Sequence, residues 1–359
     1  MIFAGLLLFI PISLALAYGF HAPPLWIFAA GGAAIIPLAE WIRRATDHLA
    51  NRAGPAIGGL LNITFGSVAE LTLALFVLAK GHPEVVKAQI TGSLIGTSLL
   101  GLGIAIVVGG WKREKQTFPR EKAGLLGSLL ILSVIALLVP ALFNYTERGL
   151  YAGVSKNPGA LNEKLSICVS VVLIVVYLTN LIYTLVTHRD VFSARKQEKK
   201  LEEPIWPLWK SLAVLFAATA FVALESDLLS GSLGATAGQL GLTPLFLGVV
   251  VLALIGNAAD IMAATYFARQ DQMGLVMGIC VGSTVQVAMV LAPILVLISY
   301  VMGHPINLVF TNPLELIAVV GTVFAVNSIA SDGETTWFEG VLLIAVYTLF
   351  GLAFFFATP

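Results

Sequence analysis

Two acidic residues sit where a chain this apolar would be expected to have none. Glu70 lies inside LNITFGSVAELTLALFVLAKG, and Asp260 lies inside IGNAADIMAATYFARQ. Each follows a short run of small residues, GSVA in the first segment and GNAA in the second. A charge at the centre of a bilayer costs at least a few kcal/mol, so an ionisable residue within a span is a functional candidate by default. Shifted by 190 residues with no gaps, the two segments fall into register. Gly66 meets Gly256, Ala69 meets Ala259, Glu70 meets Asp260 and Ala74 meets Ala264, and further on Gly92 and Ser93 meet Gly282 and Ser283.

Two carboxylates with polar neighbours suit a hard divalent cation, which takes oxygen ligands. Buried side by side without a metal, such a pair favours its protonated forms, because desolvation and like charge both oppose ionisation. The pair titrates as one system, and cation binding expels its protons. One site holding either a divalent cation or protons is the minimal chemistry of an exchanger. Asn257 lies three residues before Asp260, on the same face of a helix, and serves either the site or a helix-packing hydrogen bond. Ser93 and Ser283 are ligand candidates or small interface residues of a membrane bundle. Asn62 and Thr97 favour a structural reading, Glu40 before WIRR reads as half of a surface ion pair, and His82 and His304 beside Pro83 and Pro305 are given no role.

The elements that must carry these residues are membrane spans. The 359 residues are 58% hydrophobic and 11% charged, with 34 glycines, where a globular domain carries about 25% charged residues. Zero net charge gives no case for nucleic acid. Cys168 and Cys280 fall in apolar runs and read as small core residues rather than a disulfide. At about 20 apolar residues per span, eleven candidates run roughly over 2–20, 24–45, 56–80, 84–110, 121–143, 162–187, 208–229, 243–268, 273–302, 311–330 and 336–357. Long continuous runs argue against a β-barrel, whose strands alternate in segments of about 10 residues. No Lys or Arg precedes Arg43, so the first span lacks the basic start of a signal peptide, although ALA at 15–17 resembles a cleavage site.

Fifteen of the twenty Lys and Arg fall in alternate loops, among them Arg43, Arg44, Arg52 and the run from Lys112 to Lys122. These loops are expected to be cytoplasmic, with the N-terminus inside and the C-terminus outside. The charged run HRDVFSARKQEKKLEEP divides the chain near its middle and reads as a cytoplasmic connector. The expected organisation is a leading helix over 1–22, a five-helix repeat over 23–187, the connector over 188–207 and a second five-helix repeat over 208–359. The copy at span 3 enters from the cytoplasm and the copy at span 8 from outside. Inverted repeats of this kind place a substrate site near the midplane. The small residues before each acid permit either close packing or a helix break that frees backbone carbonyls.

The chain resembles the calcium/proton antiporters of the cation exchanger family, within the calcium/cation antiporter superfamily. GGLLNITFGSVAEL is similar to the first family repeat, GNAADI followed by GICVGSTVQVAMVLAP to the second, and VNSIASDGETTWFEG to the last interspan loop. The resemblance covers nearly the whole chain. It implies an all-α polytopic fold of one leading helix and two inverted five-helix halves, and exchange of Ca2+ for H+ with no resident cofactor. It implies Gln286 as a further ligand, Glu225 at the end of span 7 as a proton route unless it faces the interface, and spans 2 and 7 as movable gates. Gly31, Gly32 and Pro37 in span 2, and GSLGATAGQ after span 7, would then supply hinges. Asp260 and Ile261 depart from the usual Glu-His, and Ser67 from a common Asn, which leaves Mn2+, Na+ or K+ open as substrates. From other classes, an intramembrane aspartyl hydrolase and a channel remain alternatives, disfavoured by one acid per inverted copy. The expected setting is a prokaryotic inner membrane, with the oligomeric state open.

Overall fold

In the computed structural model the described residues are 5–149, 158–184, 206–310 and 312–357. They form α1 (Phe9–Leu14), α2 (Pro24–Gly66), α3 (Val68–Ala79), α4 (Pro83–Ile95), α5 (Leu102–Gly110), β1 (Gln116–Thr117), α6 (Arg120–Gly149) and α7 (Pro158–Ile182). The second half supplies α8 (Leu208–Leu240), α9 (Pro244–Phe246), α10 (Ala253–Arg269), α11 (Met273–Gln286), α12 (Ala292–Val301), α13 (Pro313–Ala330), β2 (Glu334–Thr335) and α14 (Trp337–Phe356). Wider π-turns join several of these, at Ala15–Gly19, Gly96–Gly101, Leu247–Leu252 and Val287–Leu291. Among the described residues, nine helical segments are long and apolar enough to cross a membrane, and two shorter apolar helices, Phe9–Gly19 and Val68–Ala79, complete eleven. The protein is an all-α polytopic membrane protein. All but two residues of the connector over 188–207 lie outside the described residues.

Two compact units are built from both halves of the chain: one from Met1–Lys80 with Val175–Leu240, the other from Gly81–Ile174 with Gly241–Pro359. In the first, α2 runs helically through Pro37 and departs from helical geometry at Gly54 (φ 83°, ψ 175°), a region that glycine alone occupies readily. The departure from helix within this element therefore lies at Gly54 rather than at Pro37. The third expected span is itself interrupted at Ser67 (φ −108°, ψ 18°), where α2 ends and α3 begins. The sequence placed the end of span 7 near residue 229. Instead α8 continues to Leu240, and Gly241 (φ +64°) stops it. The glycine-rich stretch GSLGATAGQ is thus helix rather than a hinge loop, and Glu225 stands at mid-helix.

One correction follows in this unit: Glu40 pairs with Arg43 (2.8 Å) and Arg44 (2.7 Å) as expected, but it is only 4% exposed, so the pairs are part-buried rather than on the surface. The connector rejoins at Trp206, whose ring stacks on His48 at 4.4 Å and whose carbonyl accepts from Arg52 Nε at 2.9 Å. An exposed Lys80–Asp227 pair (2.8 Å) contributes about 1 kcal/mol at most.

The second unit is held by backbone-to-backbone packing of small residues, the main device available where lipid removes the hydrophobic drive. A Cβ on Gly92 would overlap the carbonyl oxygen of Val249 and lie 2.6 Å from Ala253 Cβ. A Cβ on Gly248 would meet Ala88 Cβ at 2.5 Å and Val85 O at 2.6 Å. α4 and the turn before α10 therefore touch at both glycines. Gly103 of α5 and Gly340 of α14 make a second such contact, each Cβ position within 3 Å of the other's carbonyl. Outside the spans, β1 pairs antiparallel with β2, Gln116 opposite Thr335. Lys115 Nζ donates to Glu334 Oε1 at 2.6 Å, and that carboxylate holds the lysine above its usual pKa. Cys280 is buried, but Cys168 is exposed on its helix rather than packed in the core.

Replacing Gly92 with Ala should destabilise the protein by about 1–3 kcal/mol, the usual cost of overpacking. Its repeat counterpart Gly282 has open space around the Cβ position, so Gly282→Ala should leave the melting temperature unchanged. Thermal unfolding of the two purified variants, followed by size exclusion, checks this; equal melting temperatures would contradict the packing described.

Candidate cation site

The two acids of the repeat are presented by different local structures. Glu70 is 4% exposed and lies in the first turn of α3. The break at Ser67 gives this helix a free N-terminus inside the apolar segment, where Leu71 N–H to Ser67 O (2.9 Å) is an early bond. Unpaired N–H groups and the positive end of the helix dipole favour a carboxylate there. Asp260, in contrast, is interior to the unbroken α10, which runs through GNAAD without interruption. Its Oδ2 accepts from Ser283 Oγ of α11 at 2.8 Å. Of the two readings of the small-residue motifs, GSVA breaks and GNAA packs.

Around Asp260 the second unit gathers hydroxyl and amide groups. Asn257 is 2% exposed; its Nδ2 donates to Ser93 Oγ of α4 (3.0 Å) and to Ala253 O (2.8 Å). The Gly92–Gly248 crossing brings these two helices close enough for that bond. Thr284, one residue after Ser283, lies 2.6 Å from Ser98 Oγ and 3.0 Å from Thr97 Oγ1. Thr97 in turn donates to Ser93 O (2.6 Å). Ser283, Asp260, Asn257 and Ser93 therefore belong to one oxygen-rich region of this unit, and Gln286 closes α11, half-buried, three residues past Ser283. In both copies a π-turn begins three or four residues after the serine, at Gly96 and at Val287. Such turns concentrate at functional positions of helices.

Glu70 belongs to the first unit, as does Glu225, which is 0% exposed. The interface-facing reading of Glu225 is therefore overturned. Its partner is Ser13 of α1, Oγ to Oε1 2.7 Å. Among the described residues, no three His, Cys, Asp or Glu side chains are grouped as a resident metal centre. Thr284, Ser98 and Ser13 were missed from the sequence. Thr284 and Ser98 adjoin candidates that were singled out, whereas Ser13 sits in FIPISLAL with nothing to mark it.

The fold is that of an all-α polytopic membrane protein whose two sequence repeats each carry one acid within an apolar segment. The chain belongs to the sodium/calcium exchanger protein family, which it matches over residues 23–186 and 210–356. It is 43% identical over 370 residues to a Ca2+/H+ antiporter of Aphanothece halophytica, covering 99% of this chain and 96% of that one. It is 40% identical over 338 residues to the Ca2+/H+ antiporter ChaA of Bacillus subtilis, covering 93% of each. Among solved structures it is similar to native YfkE, with a TM-score of 0.84 and 34% identity over 99% of this chain and 100% of that one.

The Asn257–Ser93 bond joins the two repeats within one unit, so the two side chains should be energetically coupled. A double-mutant cycle with Asn257→Ala and Ser93→Ala is expected to show about 1 kcal/mol of interaction in unfolding free energy. Strict additivity would mean that the bond does not contribute.

Proposed function

We propose that the protein is a secondary antiporter that exchanges Ca2+ for H+ by alternating access, with Glu70 and Asp260 as the groups that hold either the cation or protons. The observation that carries this reading is the inverted repeat, which places one carboxylate per copy at matched positions. Its support is the close similarity to proteins named Ca2+/H+ antiporters across nearly their whole length. Ser93, Ser283, Asn257 and Gln286 would supply neutral oxygens, and Ca2+ is substrate rather than resident metal. Cation and proton compete, so calcium affinity falls as pH falls through the range in which the acids gain protons. Asp260 in place of a longer Glu keeps Mn2+, Na+ or K+ as the second reading of the substrate, since reach and cavity size discriminate these ions.

The similar proteins are transporters rather than catalysts, which supports a non-enzymatic role over an intramembrane hydrolase. α2 and α8, the two expected gate helices, pack against each other within the first unit. The Lys and Arg bias supports a cytoplasmic N-terminus, and the bacterial relatives support a prokaryotic inner membrane.

Proteoliposomes with an imposed pH gradient test the reading. Glu70→Gln and Asp260→Asn should each abolish calcium uptake while the protein remains folded and inserted. Near-normal uptake by either variant would remove that residue from the site. Asp260→Glu should still transport, with altered preference among Ca2+, Mn2+ and Na+; a folded but inactive variant would show that the site is built around the shorter acid.

A further inference from the structure

One buried polar side chain of α4 is unmatched. Gln89 is 1% exposed, and among the described residues neither its Oε1 nor its Nε2 has a hydrogen-bond partner. A carboxamide offers two donor hydrogens and an acceptor oxygen. Burying one unpaired is costly, whereas an apolar side chain of the same size would pack there without that penalty. Gln89 lies four residues before Ser93, one turn away on the same face of α4. Ser93 is the α4 residue that Asn257 reaches across the junction.

The facing chain supplies oxygen. Gly92, three residues after Gln89, packs against the carbonyl oxygen of Val249, and a Cβ on Gly248 would stand 3.1 Å from the Gln89 backbone nitrogen. Gly248 and Val249 belong to the π-turn Leu247–Leu252. There the N–H of Ala253, which an α-helix would direct to Val249 O, bonds to Gly248 O and Val250 O instead. Such turns concentrate at functional positions of helices. A helical side chain leans back toward the N-terminus of its helix, so the Gln89 amide extends from the level of Ser93 toward the Pro83 end of α4.

The second copy of the repeat differs at this position. The shift of 190 residues sets Gln89 against Ile279, four residues before Ser283 on α11. Span 4 and span 9, which contain α4 and α11, cross the membrane in opposite senses. Gln89 and Ile279 therefore fall on opposite membrane sides of their serines. One approach carries an amide and the other an apolar side chain.

We propose that Gln89 is a relay ligand for the transported cation, receiving Ca2+ on Oε1, beside Val249 O, one turn from Ser93 and on the side of the membrane where α4 begins. Hard divalent cations take amide and carbonyl oxygens, and a neutral ligand passes the ion on to the repeat acids more readily than a carboxylate would. The inference rests on the antiport reading and gives the two faces of the exchanger different entry steps.

Ca2+ transport by the full-length protein, in proteoliposomes of known orientation and with Ca2+ presented to each face in turn, tests the assignment. Gln89→Leu should raise the KM for Ca2+ several-fold at the face where α4 begins and leave it unchanged at the other. Its melting temperature should equal or exceed that of wild type, because a buried unpaired amide has been removed. Gln89→Glu, which adds a charge to the same reach, should lower the KM at the α4 face, and this variant decides the matter if Gln89→Leu does not fold. A KM in Gln89→Leu that is unchanged at both faces, or raised equally at both, overturns the relay. A lowered melting temperature of that variant makes Gln89 a structural amide and overturns it too. For Gln89→Glu, an unchanged KM at the α4 face has the same force. If wild type itself shows no proton-driven Ca2+ uptake, the antiport reading fails and the relay with it; normal wild-type uptake with unaffected variants removes the relay alone.

Discussion

The second unit depends on one crossing, where α4 meets the turn into α10 at Gly92 and Gly248. The contact is made by backbone and Cβ atoms on both sides, so dispersion and geometry hold it, rather than burial from water. The hydroxyl and amide contacts near Asp260 follow from that separation. With the helices this close, Asn257 reaches Ser93 across the junction. Thr97 and Ser98, on the next turns of the same chain, reach Thr284. A larger residue at either glycine would push the two repeats apart along the seam that gathers their hydroxyls.

The repeat is symmetric in sequence and asymmetric in local structure. Glu70 lies in the first turn of a helix that starts after a break, where the positive end of the dipole favours an acid. Asp260 is housed without a break. Its helix stays continuous, the π-turn at Leu247–Leu252 precedes it, and Ser283 supplies the bond that backbone groups cannot. A shorter acid on an unbroken helix keeps its charge near the helix surface, within reach of Ser283.

The spans were legible because they rest on hydropathy length; the two acids stood out through the rarity of charge inside spans, and Ser93, Ser283 and Asn257, picked out by repeat register and helical spacing, are brought into one region with Asp260. Helix ends were less legible. Ala and Gly in GSLGATAGQ look like a loop, yet α8 runs on through them, since membrane helices tolerate glycine that packing requires. The loop VNSIASDGETTWFEG was legible as a motif, and the structure supplies its reasons. Gly333 turns at φ +73°, Thr336 and Glu339 form a capping box, and Gly340 sits against Gly103. Asn327 lies directly against Gly127. These residues fix the ends and approach of helices rather than touch the acids. The burial of Glu225 was not legible, because a serine in an apolar run carries no sign of the acid it will meet.

Ser283, Asn257, Ser93 and Thr284, the hydroxyl and amide groups gathered near Asp260, are neutral. Such groups can wrap a cation without adding negative charge, so under the proposed function the balancing charge falls to the repeat acids. On that proposal two protons would balance the same acids equally well, and exchange of one divalent ion for two protons would keep their net charge through the cycle. That constancy avoids moving an uncompensated charge through an apolar interior, which is the costliest step available to such a protein.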